Sequence, residues 1–161
     1  MNKILSYISF LILIGLTFSC NKEATPETNL EGTWGLVSFE RCRKIDGVIQ
    51  SQEKGECNPY DPSGVEDRKI TVKNISGNNY LMTTFFWDID ASAWKPDDTV
   101  NWTIKGDNIY EGDGNTIWNT YWFSLSGDTL IVELNDEHED PLLLNHVMVQ
   151  DYYKDILKKM D

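Results

Sequence analysis

The stretch from Tyr121 to Leu134, YWFSLSGDTLIVEL, leaves a chain few ways to fold. Apolar and polar residues alternate on both sides of Gly127-Asp128, and glycine supplies the positive φ that a two-residue hairpin turn requires. With that turn, Ser126 faces Thr129, Leu125 faces Leu130, Phe123 faces Val132 and Tyr121 faces Leu134. One face is then wholly apolar: Tyr121, Phe123, Leu125, Leu130, Val132 and Leu134. The other carries Trp122, Ser124, Ser126, Thr129, Ile131 and Glu133. A slip of one residue would turn every side chain to the wrong face, so the register is strongly specified.

The same signal recurs in ISGNNYL from Ile75 and IKGDNIY from Ile104. Strands are predicted over Thr33–Arg41, Arg68–Ile75, Tyr80–Trp87, Thr99–Lys105, Asn108–Glu111 and Leu142–Val149. The Thr116–Leu134 hairpin adds two more, and a short strand could lie near Val48. Hairpin follows hairpin with no helix-length pattern between them. The expected fold is all-β, an up-and-down antiparallel β-barrel of about eight strands, since closure removes exposed edges. A β-sandwich is the alternative, because alternation alone does not reveal closure. Asp151 is expected to cap a short C-terminal helix, YYKDILKKM, with Tyr152, Ile156 and Met160 on one side.

The first residues, MNKILSYISFLILIGLTFSC, stand apart from this pattern. Lys3 gives a positive start and Ile8 to Phe18 an apolar run too short to span a bilayer, which is the form of a secretory signal peptide. LTFSC resembles the lipobox of bacterial lipoproteins, with Ser19 as the small residue before Cys20. The resemblance implies lipid on Cys20, and each buried methylene of an acyl chain adds about 0.8 kcal/mol of membrane affinity. Asn21 to Asn29 is polar, carries a proline and has nothing to bury, so residues 20–29 read as a tether reaching roughly 30 Å. Three regions follow: a signal peptide over 1–19, lipidated cysteine and tether over 20–29, and one domain over 30–161. The lysine and acid just after Cys20 resemble the surface-export signals of Bacteroidetes lipoproteins.

The chain's formal charge is −12, and loss of residues 1–19 removes only Lys3, giving −13. An acidic surface of that size argues against nucleic acid and against peripheral binding to anionic lipid. It fits a soluble body at the bacterial cell envelope, anchored to a membrane, most naturally the outer membrane. Of the three cysteines, Cys42 and Cys57 remain once Cys20 is given to lipid. An oxidising compartment would let them pair, and closing a loop of that length stabilises by about 3 kcal/mol in the chain-entropy model. Two separate thiols are the other possibility.

EGTWGLVSFE, Glu31 to Glu40, opens the first strand with Gly-Thr-Trp. This resembles the Gly-X-Trp signature of lipocalins, and with the leader and the Gly-Asp hairpins the chain looks like the lipocalin-like lipoproteins of Bacteroidetes. The resemblance spans about Leu30 to Val149. It implies that Gly32 is a turn residue and that Trp34 plugs the closed end of an eight-stranded barrel. In lipocalins a Thr-Asp-Tyr turn is the second signature and a late arginine stacks on that plug. Neither is present here, the only arginines being Arg41, Arg43 and Arg68.

Sites for chemistry are scarce. There is no Gly-X-Ser-X-Gly elbow, phosphate loop or dinucleotide fingerprint, and His138 and His146 are the only histidines. NDEHED, Asn135 to Asp140, gathers acids around His138 but reads as a solvated turn before Pro141. EGDGN from Glu111 offers oxygen ligands without the spacing of a calcium loop. No catalytic residue, metal or cofactor is expected. The six tryptophans are the remaining signal: Trp34, Trp87, Trp94, Trp102, Trp118 and Trp122. Most should pack in the core. A barrel of this size is either filled by side chains or holds one small ligand. Large inward residues such as Trp102, Tyr121 and Phe123 favour the filled state, and are also the residues a small apolar ligand would touch. Trp118 and Trp122 fall on the polar face of the hairpin, so the terminal helix, another subunit, a protein partner or a glycan should cover them. Three functions are open: a small-ligand binder, an envelope module binding a protein or glycan, or a barrel-type protease inhibitor with a loop stiffened by Cys42–Cys57.

Overall fold

A computed structural model describes residues 29–63, 67–113, 115–139 and 147–160. Cys20, the leader, the tether and His146 lie outside these residues. Nine strands follow in order: β1 Gly32–Ile45, β2 Val48–Glu56, β3 Arg68–Ser76, β4 Asn79–Asp88, β5 Ala93–Lys105, β6 Asn108–Gly112, β7 Ile117–Ser126, β8 Thr129–Glu139 and β9 Met148–Met160. Neighbours pair antiparallel along the chain from β3 to β9, and β1 pairs with both β3 and β9. Those eight strands close a barrel. The expected all-β, up-and-down architecture is what forms, and the sandwich alternative falls away.

The β7–β8 hairpin has the register read from its sequence, from Ser126 opposite Thr129 through Leu125–Leu130 and Phe123–Val132 to Trp122–Glu133. Phe123 and Leu130 are buried, and Tyr121, Leu125 and Val132 pack against the same core. The turn glycines Gly77, Gly106 and Gly127 have φ of 52°, 61° and 59°, which suits the twist of a two-residue hairpin. All three turns lie at the end where β1 begins. Backbone bonds from Lys159 N to Asp128 O and from Ile104 N to Asn78 O tie them to neighbouring strands.

Two expectations are overturned. Residues 152–160 form no helix: Met148–Met160 is one long strand, paired to β1 from Thr33–Met160 to Ile45–Val149 and to β8 from Thr129–Lys158 to Glu139–Met148. Two full ladders outweigh the local helix-forming tendency of Leu, Lys and Met, because most helical stability comes from packing rather than propensity. Of the strand expected over 142–149, only its last residues fall in β9, and 142–146 lie outside the described residues. The second correction concerns Cys42 and Cys57, which no disulfide joins. Cys57 N bonds to Val37 O, so Cys57 sits beside Val37, five positions along β1 from Cys42. At about 3.3 Å per residue that is roughly 15 Å, against the ~7 Å that a disulfide spans between Cα atoms.

The strand suspected near Val48 is a full nine-residue strand. It shares one edge of β1 with β3, end to end: β3 pairs with Gly32–Gly35, β2 with Ser38–Ile45. Both faces of β2 are exposed apart from Gly55, so it extends the wall past the packed body. Asn135–Glu139 likewise continues β8 instead of forming a turn.

Candidate functional site

The closed end is packed solid. Trp34 is 1% exposed and Leu30 fully buried, and the Trp34 indole N–H donates to Leu30 O at 2.9 Å. Leu36, Val72, Ile104, Ile109, Leu130 and Leu157 fill the same region. Lys159 Nζ lies 5.5 Å from the Trp34 ring centroid, so a lysine on β9 covers the plug face for which the sequence has no arginine. Gly32 adopts φ +140°, and a Cβ there would meet Lys159 Cε at 2.9 Å. The conformation requires glycine, whereas the lysine end is flexible enough to move aside. Gly32 opens β1, and Trp34 lies buried two residues further on.

The opposite end is the mouth, and its lining is polar. Side chains on one face of each strand can be followed upward from the core. On β9 the series is Leu157, Asp155, Tyr153, Asp151 and Val149. On β1, which bulges between Leu36 and Ser38, it is Phe39, Arg41 and Arg43. Arg43 grips Asp151 with two bonds, Nε to Oδ1 at 2.8 Å and Nη2 to Oδ2 at 2.7 Å. Arg43 beside it holds the Asp151 carboxyl below the usual carboxylate range, its bond outweighing burial. Arg41 Nη2 stands 3.7 Å from Asp155 Oδ1 and its guanidinium caps the Phe39 ring at 4.5 Å. On β8, His138 Nδ1 and Asp136 Oδ2 lie 2.9 Å apart. Arg41, Arg43, Ser51, Glu53, Asp151 and Tyr153 border a groove of about 240 Å³ on this inner face.

Across the barrel, β6 brings Glu111 into the lumen. Its Oε2 accepts from the Trp102 indole N–H at 3.2 Å, and its Oε1 from Asn119 Nδ2 at 2.9 Å and from the Tyr121 hydroxyl at 3.3 Å. Burial, then the charge of Glu111, pushes the Tyr121 phenol above its ordinary value. Of the three residues singled out for ligand contact, Trp102 and Tyr121 therefore meet at one carboxylate. Trp102 and Phe123 are both buried in the core, each 4% exposed, and Tyr121 packs against it. The sequence offers no sign that Glu111 turns inward, although EGDGN carries oxygen ligands. Asp113 of that segment turns out to cap a turn, accepting from Asn115 N and Thr116 N at 2.9 and 2.8 Å. Those two backbone bonds hold its carboxyl below the usual range.

On the outside, Trp118 and Trp122 are 54% and 45% exposed, beside Ile117. The terminal helix expected to cover them does not exist. Trp87 and Trp94 pack edge-to-face at 5.4 Å on the hairpin of β4 and β5. Lys69 Nζ lies over Trp94 at 4.9 Å and over Phe85 at 5.3 Å, and burial lowers its pKa. A second groove, about 410 Å³, runs along the outer face of β1 past Ser38, Glu40, Lys54 and Lys154.

A closed eight-stranded antiparallel barrel with a buried tryptophan two residues after a glycine at one end is the architecture of a lipocalin-like domain. The lipocalin-like domain model matches residues 30–132, well over half of the chain, and the chain belongs to the lipocalin-like domain family. The match runs from Leu30 into β8 and stops before β9, the strand that closes the barrel. No curated protein and no solved structure matches the chain significantly.

Proposed function

We propose that this lipocalin-like chain is a non-catalytic binding protein that takes a small molecule at the mouth of its barrel and is held at a bacterial membrane by lipid on Cys20. The observation that carries the binding reading is the division of the barrel: apolar side chains fill the closed end, while the mouth presents a groove and a set of inward polar groups. A ligand must then be amphipathic rather than wholly apolar, because its accessible surroundings are Glu111, Tyr121, Tyr153 and the two arginines. Native mass spectrometry of freshly isolated protein tests this. A carried-over small molecule, lost after substitution of Tyr121 or Tyr153, supports the reading; a clean apoprotein that takes up nothing from a cell extract sinks it.

The anchor rests on the sequence MNKILSYISFLILIGLTFSC and the polar tether after it. An outer-membrane position agrees with the acidic body and with the lysine and acid that follow Cys20. Cys20→Ala should move the protein out of the membrane fraction; unchanged partitioning would refute the lipid. A second reading, an envelope module docking a protein or glycan, is favoured by one observation, the exposure of Trp118 and Trp122. If it holds, Trp118→Ala with Trp122→Ala abolishes retention on the partner and leaves uptake at the mouth unchanged.

A further inference from the structure

The carboxylates of the mouth differ in how they are compensated. Asp151 has Arg43, Asp155 has Arg41, and Asp88 pairs with Lys95 on the β4–β5 hairpin. Glu111 receives only neutral donors, the Trp102 indole N–H, the Asn119 amide and the Tyr121 hydroxyl, and makes no ion pair with any described residue. It is half-buried, so its charge is poorly screened by water. A carboxylate offers about four acceptor positions, and three are taken. One remains.

The rings beside it are equally telling. Elsewhere the chain covers aromatic faces with its own cations: Arg41 on Phe39, Lys69 on Phe85 and Trp94, Lys105 on Tyr110, Lys159 on Trp34. No described cation lies over Trp102 or Tyr121. Trp102 is buried and meets Glu111 by its N–H edge, while the partly buried Glu111 carboxylate and Tyr121 ring beside it supply the chemistry that holds ammonium groups, a negative oxygen plus an electron-rich face. Position favours entry as well. Glu111 is the last residue but one of β6, next to a turn at the mouth and on the wall opposite β1, so the two arginines and their acids stand across the lumen. The chain's net charge of −12 draws cations toward any opening.

We propose that Glu111, flanked by Trp102 and Tyr121, is the counter-ion subsite for a protonated organic amine whose apolar part lies along the inner wall. This rests on the mouth-binding reading above and gives its ligand a class. A divalent metal ion does not fit, since one carboxylate with three occupied positions falls far short of the six to eight oxygens calcium takes.

The test is a titration of the full chain with benzylamine, benzyl alcohol and benzoate, followed by calorimetry and by the indole N–H resonance of Trp102. Benzylamine should shift that resonance and bind more tightly than the alcohol or the acid by about tenfold or more, the worth of one charge-assisted bond. Glu111→Gln, which keeps the shape and an acceptor oxygen, should erase the preference for benzylamine while leaving the weaker alcohol binding in place. Added salt should weaken benzylamine alone, and this readout needs no variant. Alcohol or benzoate binding as tightly as benzylamine with the same Trp102 shift would overturn the amine subsite yet keep a ligand at the mouth. If benzylamine leaves the Trp102 resonance unmoved at millimolar concentration, the subsite is overturned whatever the native ligand proves to be.

Discussion

Trp34→Ala should come close to unfolding the domain. The side chain is 1% exposed, and Leu30, whose carbonyl it binds, is 0% exposed. Truncating a fully buried Trp costs about 3–5 kcal/mol in lost transfer energy and cavity. Orphaning a buried carbonyl adds about 1–3 kcal/mol. The Lys159 contact, at 5.5 Å from the ring, adds about 0.5–1 kcal/mol at an exposed site. These contributions overlap, so a total near 5 kcal/mol is expected, comparable to the whole stability of many small domains. Trp34→Phe separates them. It keeps an aromatic ring under Lys159 but removes the N–H, and should cost about 2 kcal/mol, chiefly from Leu30 O. Lys159→Met tests the stacking, with a coupling to Trp34 of about 0.5–1 kcal/mol in a double-mutant cycle. Denaturant unfolding followed by intrinsic fluorescence and by circular dichroism reads all three. A Trp34→Ala protein that loses less than about 1 kcal/mol would show that the tryptophan merely fills space at an end held shut by other residues.

Two further perturbations probe the rest of the barrel. Arg43 lowers the Asp151 pKa in the folded state, so the pair's stability is present above the ordinary aspartate range and lost as pH falls through the depressed folded value. Arg43→Met should therefore cost about 1–2 kcal/mol at pH 7 and flatten acid unfolding in that window, where an unchanged acid limb would refute the coupling. Cys42 and Cys57 stand too far apart to bridge, so the folded protein under mild oxidant should keep the mass of two thiols and unfold at the same denaturant concentration with or without reductant; a loss of two hydrogens would contradict the β1–β2 register.

What could be read from the sequence, and what could not, follows from where each strand's partners lie. The β7–β8 hairpin declares itself because its turn and its alternation are local and one face is apolar. β9 hides because its inward residues include Asp151 and Asp155, whose compensation comes from Arg43 and Arg41 more than a hundred residues earlier. With charges at inward positions the period-two signal breaks, and Tyr152, Ile156 and Met160 remain as a false helical stripe. β2 hides for the opposite reason: exposed on both faces, VIQSQEKGE has no side to keep apolar and reads as a loop. Trp118 and Trp122 were placed outward correctly by register, since their face depends only on the hairpin they belong to. Glu111 could not be placed, because a lone inward acid looks the same in sequence as a solvated one.

The decisive local event for the mouth is the irregularity in β1 between Leu36 and Ser38. Below it Trp34 and Leu36, even-numbered, face the core; above it Phe39, Arg41 and Arg43, odd-numbered, face the lumen. A regular strand would continue the even series and present Ser38, Glu40 and Cys42 instead. Asp151 and Asp155 on β9 would then look across at a glutamate and a thiol, and two acids would be left inside without a cation, a cost of several kcal/mol. One extra residue thus lets a single strand supply both a tryptophan to the plug and two arginines to the mouth. It also explains why Glu111 is the carboxylate left for a ligand: β1 brings its cations to β9, its own neighbour, and the far wall at β6 receives none.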